Sequence, residues 1–233
     1  MRYIQQAGEN YGLSFNWRKL ELLPVRCEAA IAKPDGNHVV SKDSIVYLGS
    51  LLSKNGKIGP ELSRRLGAAK SDFCTLAKVW SHSNISMQKK LKVFDACVTS
   101  KLLYCLHTAW LNSSELGKLN AFQARCLRKI AGIPHSYLSR ISNDTVLQTC
   151  KREKVSSVLH YRQLQLFGRL AQLPDEDITR QVVLKRASFE LKDLKGPRKR
   201  GRPRHIWSNQ VYSMAVKAAD NVNNLHVLLQ QPS

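Results

Sequence analysis

The apolar positions along this chain change period twice. Residues 1–12 read as a short helix that stops at Gly12, a residue type able to take the left-handed conformation that closes a helix. Short apolar runs follow at 13–15, 20–25, 38–40 and 45–52. Between them Pro34-Asp35-Gly36-Asn37 is a turn signal, because proline presets one dihedral and glycine permits a positive one. Asn55-Gly56 is another turn. The expectation for residues 13–53 is a small antiparallel β element.

From Pro60 the period becomes helical. Leu62, Leu66, Ala69, Phe73, Leu76 and Trp80 step by four, three, four, three and four, which sets them on one helix face. Pro60 suits the first turn, where its missing N–H costs nothing. A second helix is expected over 86–110. Met87, Leu91, Phe94, Val98, Leu102 and Cys105 form one stripe, and Val93, Cys97 and Leu103 make a second side apolar. That width marks it as the central helix. A third is expected over 113–131, capped by Ser113, with Leu116, Leu119, Phe122, Cys126 and Ile130 inward and Gly132-Ile133-Pro134 as its stop. Further helices are expected at 143–150, 155–173, 177–185 and 203–219. Pro174-Asp175-Glu176-Asp177 favours a helix start with its acids. Residues 185–204 carry nine Lys or Arg against Glu190 and Asp193, with little apolar content to bury, and read as an extended or disordered linker. The expected class is mainly α: a helical bundle behind a small N-terminal antiparallel β element, ending in a basic, partly disordered segment.

Charge narrows the partner. Thirty-seven Lys and Arg against 17 Asp and Glu give +20 and a pI near 10.0, a balance that calls for a polyanion, most commonly nucleic acid. No apolar stretch approaches the roughly 20 residues of a spanning helix, and the first residues lack a secretory core. The six cysteines include no CxxC pair, and Cys74, Cys97 and Cys126 sit among apolar residues where a small buried thiol fits. A reducing, intracellular and nuclear setting is expected. Cys105-Leu106-His107 lacks the partners a metal or nucleophilic site needs and reads as structural. Trp80, Trp110 and Trp207 read as core.

The sharpest local motif is Arg198-Lys199-Arg200-Gly201-Arg202-Pro203-Arg204. Arg-Gly-Arg-Pro is the core of an AT-hook, a thin extended peptide whose arginines enter a narrow A·T-rich minor groove. A nuclear import signal is also compatible, and the bland alternative is a plain flexible linker; DNA contact is the favoured reading.

Seven stretches, in collinear order over residues 5–215, resemble the C-terminal part of non-LTR (LINE-type) retrotransposon reverse transcriptases. They are Gly12-Leu13-Ser14-Phe15-Asn16-Trp17-Arg18-Lys19; Tyr47-Leu48-Gly49 and its hairpin; residues 57–66 with Arg64-Arg65; residues 90–104 ending Leu102-Leu103-Tyr104; residues 122–133; residues 164–174, where Arg169 replaces the usual His; and Arg200-Gly201-Arg202-Pro203-Arg204 followed by Trp207. The resemblance implies a residual palm edge with a β-hairpin over 1–56 and a helical thumb-like bundle over 57–134. A helical C-terminal extension over 135–184, a basic linker over 185–204 and a C-terminal helix and tail over 205–233 complete it.

It also implies roles. Tyr47, Leu48 and Gly49 resemble a primer grip; read alone they are an ordinary strand with a glycine bulge. Arg64, Arg65, Lys70, Lys89, Lys90, Arg125, Arg128 and Lys129 lie mostly off the apolar stripes. They would form either a thumb surface tracking a phosphate backbone or ordinary solvated faces. The family holds Mg2+ with carboxylates that include an Asp-Asp pair after an aromatic residue, and this sequence has no Asp-Asp pair. In the family that motif lies upstream of the matched stretch. No catalytic residue and no metal or other cofactor is therefore expected in this chain, and Mg2+ is implied only for a complete polymerase. The expected partner is nucleic acid, an RNA/DNA duplex or A·T-rich DNA, and no membrane. The readings left open are a silent polymerase fragment, a stand-alone DNA-binding protein using the hook, and a relic without function.

Overall fold

The change of period at Pro60 is a change of structure: one short helix and two small strand pairs precede it, and helices come after it. The computed structural model describes residues 2–25, 27–33, 35–193 and 205–230. They group into two compact units, Met1–Glu61 and Leu62–Ser233. The class is mainly helical, and no helix among the described residues is long and apolar enough to cross a membrane.

In the first unit, helix α1 (Arg2–Glu9) closes at Gly12, whose φ of +70° lets the Leu13 N–H turn back to the Gly8 carbonyl at 2.9 Å. Residues 13–15, expected as a strand, make no ladder. Strands β1 (Glu21–Leu22) and β2 (Val40–Ser41) pair in parallel, although antiparallel pairing was expected throughout. The antiparallel step falls inside the connecting loop, where Ala32 bridges His38 around Gly36. Strands β3 (Ser44–Tyr47) and β4 (Ser50–Ser53) form an antiparallel hairpin. The apolar run 45–52 is thus two strands, broken at Leu48 (φ +46°) and Gly49 (φ +77°). Two consecutive positive φ values make the type I′ turn that matches strand twist. The buried carboxylate of Glu61 accepts the Leu51 N–H at 3.0 Å and anchors β4.

Helix α2 (Gly59–Thr75) starts at the expected glycine-proline, and α3 (Ala77–Ser81) continues it. In the second unit Leu62, Ala69, Phe73 and Trp80 are buried as their spacing requires. Trp80 stacks on Phe73 with ring centroids 5.0 Å apart and donates its indole N–H to the Phe73 carbonyl at 2.7 Å. The next helix is α4 (Met87–Val93), a π-helical stretch over Phe94–Thr99, then α5 (Ser100–Leu103). The π stretch rotates α5 relative to α4, so that Leu102 and Leu103 are both buried while Cys97 stays exposed. The helix ends seven residues earlier than expected. Cys105 takes φ +60° and a 3-10 turn (Leu106–Thr108) succeeds it.

The most buried helix is α6 (Ser113–Ile130), not the one before it. Leu119, Phe122, Gln123, Ala124, Cys126, Leu127, Arg128 and Ile130 are all buried, because α3, α4, α8 and α9 pack around it. Its cap is Asn112 rather than Ser113. Asn112 accepts the Glu115 N–H at 3.0 Å, and Glu115 accepts the Asn112 N–H at 2.8 Å, a reciprocal capping box. Its other end stops where expected, with Gly132 at φ +67° and the Ile133 N–H on the Arg128 carbonyl at 2.9 Å.

After the short α7 (Ser136–Ser139) come α8 (Asn143–Cys150) and α9 (Val155–Ala171). Lys154 gives α9 no side-chain cap. The Val155 and Ser156 N–H groups go instead to Gln123 (2.8 Å) and Asn120 (3.1 Å) of α6. A second core gathers Phe167 and Ala171 of α9, Val183 and Leu184 at the end of α10 (Ile178–Val183), Val211, Ala215 and Ala219 at α11 (Trp207–Ala218) and Leu225 of α12 (Val222–Gln230).

The start of the segment expected as a linker is structured. Phe189 and Leu191 pack against that second core, and Leu184 bridges Leu191. Arg180, buried, binds the Lys185 and Ser188 carbonyls and lies 5.5 Å from the Phe189 ring centroid. Phe189 and Leu191, with the Arg180 guanidinium, hold the start of this segment back on the second core.

Candidate nucleic-acid interface

With so much of α6 buried, one ridge is left to water, and it is basic. Lys118, Arg125 and Lys129 are exposed there at spacings of seven and four, within about 40° of one another at 100° per residue. Among the described residues none of the three pairs with a carboxylate. Lys70 on α2 and Lys89 on α4 are likewise exposed and, among the described residues, unpaired. Unpaired cations held on rigid helices are what a phosphate backbone requires: fixed charge, with no acid to displace first.

The other expected contacts are placed differently. Arg128 is 5% exposed, and its guanidinium is committed to the 134–143 loop. It donates to the Pro134 carbonyl (3.2 Å), the Ile141 carbonyl (2.6 Å), Asn143 Oδ1 (3.0 Å) and Ser139 Oγ (3.4 Å). It is a structural cation, because residues 134–143 cross the end of α6 and need donors for their carbonyls. Arg65 is also buried, its guanidinium carbon 4.5 Å from the Tyr104 ring centroid. Lys90 is half-buried and donates to the Trp80 carbonyl at 2.8 Å. Arg64 is half-buried on α2.

Lys118 was missed in the sequence because its neighbours carry no motif. Its offset of seven residues from Arg125 was the available signal.

Tyr47 ends β3, and Leu48-Gly49 are the turn itself, so the triplet is a hairpin tip rather than a bulged strand. Tyr47 and Leu48 are 60% and 76% exposed, and Leu48 holds a conformation that costs a residue with a side chain about 1–2 kcal/mol. Arg198, Lys199, Arg200, Arg202 and Arg204, the hook, lie outside the described residues.

Elsewhere the chemistry is structural. Asp177 caps α10, accepting the Thr179 N–H at 2.7 Å, and hydrogen bonds from the Thr179 side chain and then its backbone lower the carboxyl below the ordinary value. Asp175 pairs with the buried Arg180 at 3.2 Å. Burial lowers His107 and His160, and the cations Arg162 and Arg169 add to the effect at His107. His160 stacks on Trp110 at 5.8 Å, and Trp207 donates its indole N–H to the His107 carbonyl at 2.9 Å. Burial pushes the Cys126 thiol up to about 12. Cys74 and Cys97, expected buried, are exposed because each points away from its helix's packed face. Among the described residues no three His, Cys, Asp or Glu side chains are grouped to hold a metal. Comparison of the chain with protein families, with curated proteins and with solved structures gave no match.

Proposed function

We propose that this chain is a nucleic-acid-binding module equivalent to the thumb-like and C-terminal part of a non-LTR retrotransposon reverse transcriptase, and that by itself it binds without polymerising. One observation carries the reading: the solvent face of the most buried helix presents Lys118, Arg125 and Lys129 with no carboxylate partner among the described residues. A chain at +20 that leaves such cations unpaired on a rigid helix has a ready surface for phosphates. The collinear motifs are what support that family for the reading. The exposed turn at Tyr47, Leu48 and Gly49 agrees with a primer-contacting role.

A second reading rests on Arg200-Gly201-Arg202-Pro203, which would make the chain a minor-groove DNA binder. The two separate in one experiment. Affinity for an RNA/DNA primer–template duplex and for A·T-rich DNA is measured against salt, for the wild type and for Arg200→Ala/Arg202→Ala. The thumb-like reading expects duplex binding to survive the double substitution with the logarithm of affinity still falling steeply with that of salt. Loss of binding, with A·T-rich DNA the preferred ligand of the wild type, would transfer the function to the hook. No salt-dependent binding to any nucleic acid would end both readings.

A further inference from the structure

Beside the α6 ridge lies an open groove of about 390 Å³ lined by Leu66, Gly67, Lys70, Lys118, Ala121, Phe122 and Arg125. Its composition is divided. The floor, from Leu66, Gly67, Ala121 and Phe122, is almost wholly apolar, and the three remaining side chains are cations. None of the seven is acidic, and none of the three cations has an ion pair among the described residues. Gly67 leaves space beside it: a Cβ built there would meet nothing within 4 Å. Leu66, on the apolar stripe of α2, stays half-buried over this space.

We propose that this groove holds one unstacked nucleotide of a single-stranded polynucleotide, its base and sugar on the apolar floor and its flanking phosphates at Lys70, Lys118 and Arg125. The inference rests on the nucleic-acid reading above and adds the strand state. A duplex keeps its base faces stacked inside and offers phosphates alone, so it would meet the cations and leave the floor wet. A single strand offers both surfaces at once, and Phe122, largely buried, is the aromatic side chain that lines this basic groove beside the aliphatic ones. The floor carries no side-chain hydrogen-bonding group besides the cations, so it would take any base.

The test uses the full chain and fluorescence anisotropy with labelled single strands of about ten nucleotides, RNA and DNA, beside a duplex of equal length. Gly67→Leu fills the groove from an exposed helical position where leucine is the better helix former, so its helical melt should match or exceed the wild type. Its affinity for single strands is expected to fall about tenfold, the worth of one base contact, with duplex binding within about twofold. Lys118→Gln/Arg125→Gln, at exposed unpaired side chains, should lower the log–log salt slope for single strands by about 1.4, a reading independent of how Gly67→Leu folds. Gly67→Leu binding single strands like the wild type, or losing duplex equally, would overturn the groove assignment while leaving nucleic-acid binding standing. So would displacement of the strand by an acidic, apolar peptide at lower concentration than by unlabelled strand. A wild type that binds no nucleic acid removes the underlying reading along with it.

Discussion

The described residues of the first unit and those of the second are held together by different forces. Among the described residues of the first unit one hydrophobic residue, Val39, is buried, while Tyr3, Ile4, Tyr11, Leu13, Val25, Val40, Val46, Tyr47, Leu48 and Leu52 are exposed. Its order comes from turns, the two strand pairs, the Glu61–Leu51 hydrogen bond and surface ion pairs such as Lys42–Glu21 and Lys54–Asp43. Exposed pairs of that kind are worth about 0–1 kcal/mol, and an isolated hairpin is marginal in water. The second unit buries every other hydrophobic residue of the core, in two clusters built around α6 and α9. The difference teaches where rigidity is available. A surface that must present fixed charges belongs on the helical unit, and one that must adapt to a partner belongs on the hairpin.

The largest effect should come from the second core. Phe167→Ala removes a ring 1% exposed and is expected to cost about 3–5 kcal/mol, read as a lowered chemical-denaturation midpoint. Val39→Ala should instead cost about 1.5 kcal/mol and act locally, as faster hydrogen exchange in residues 21–53. If Val39→Ala lowers the same global transition, the two regions unfold as one and the contrast fails.

Next in size is a pair of arginines three residues apart on α6. Arg128→Ala strands the Pro134 and Ile141 carbonyls and should cost about 2–3 kcal/mol. Arg125→Ala should change stability by less than about 0.5 kcal/mol and act on nucleic-acid affinity. Equal melting losses in the two variants would mean that Arg125 is structural as well.

A smaller gain is expected at the hairpin tip. Leu48→Asn relieves the left-handed leucine and should slow exchange in β3 and β4 by about 1 kcal/mol of local stability. If Leu48 contacts a primer, the same change weakens duplex binding as it stabilises the hairpin.

The smallest effect separates thiols. At about pH 8 iodoacetamide should label the exposed Cys27, Cys74 and Cys97 in the native protein and Cys126 only on unfolding, detected by mass spectrometry. The sign for stability comes from the Cys126 thiol lying at about 12 rather than 9.0. Below 9.0 the group contributes no pH dependence. Between 9.0 and about 12 the unfolded chain releases the proton first, so stability falls as pH rises. Fast labelling of Cys126 at about pH 8 would mean that the α6 core opens readily.

The helices were legible because burial on one face leaves a period in the sequence. Leu62, Ala69, Phe73 and Trp80 are buried as their spacing implied, and Gly132 ends α6 at a positive φ. Less was legible where hydrogen bonds rather than area decide. Leu48 carries no turn signal of its own, so the apolar run 45–52 read alone is one strand, and only the family resemblance placed a hairpin at Tyr47-Leu48-Gly49. The N-terminus of α9 looked poorly capped because its acceptors, Gln123 and Asn120, lie more than 30 positions away. The stretch after α10 looked like linker because its nine cations outweighed Phe189 and Leu191 in composition, although those two side chains and Arg180 fold its start.

By itself the sequence determined the helical class, the basic character and the lack of an Asp-Asp pair, since composition and period are properties of the chain alone. The tertiary structure decided which cations are free. Arg125 and Arg128 have the same chemistry on the same helix, and three residues turn one toward water and the other toward the 134–143 loop. Lys118 joined Arg125 and Lys70 around a shared apolar floor only when α2 and α6 came together. A charge reports its sign in the sequence; its availability depends on the neighbours that folding supplies.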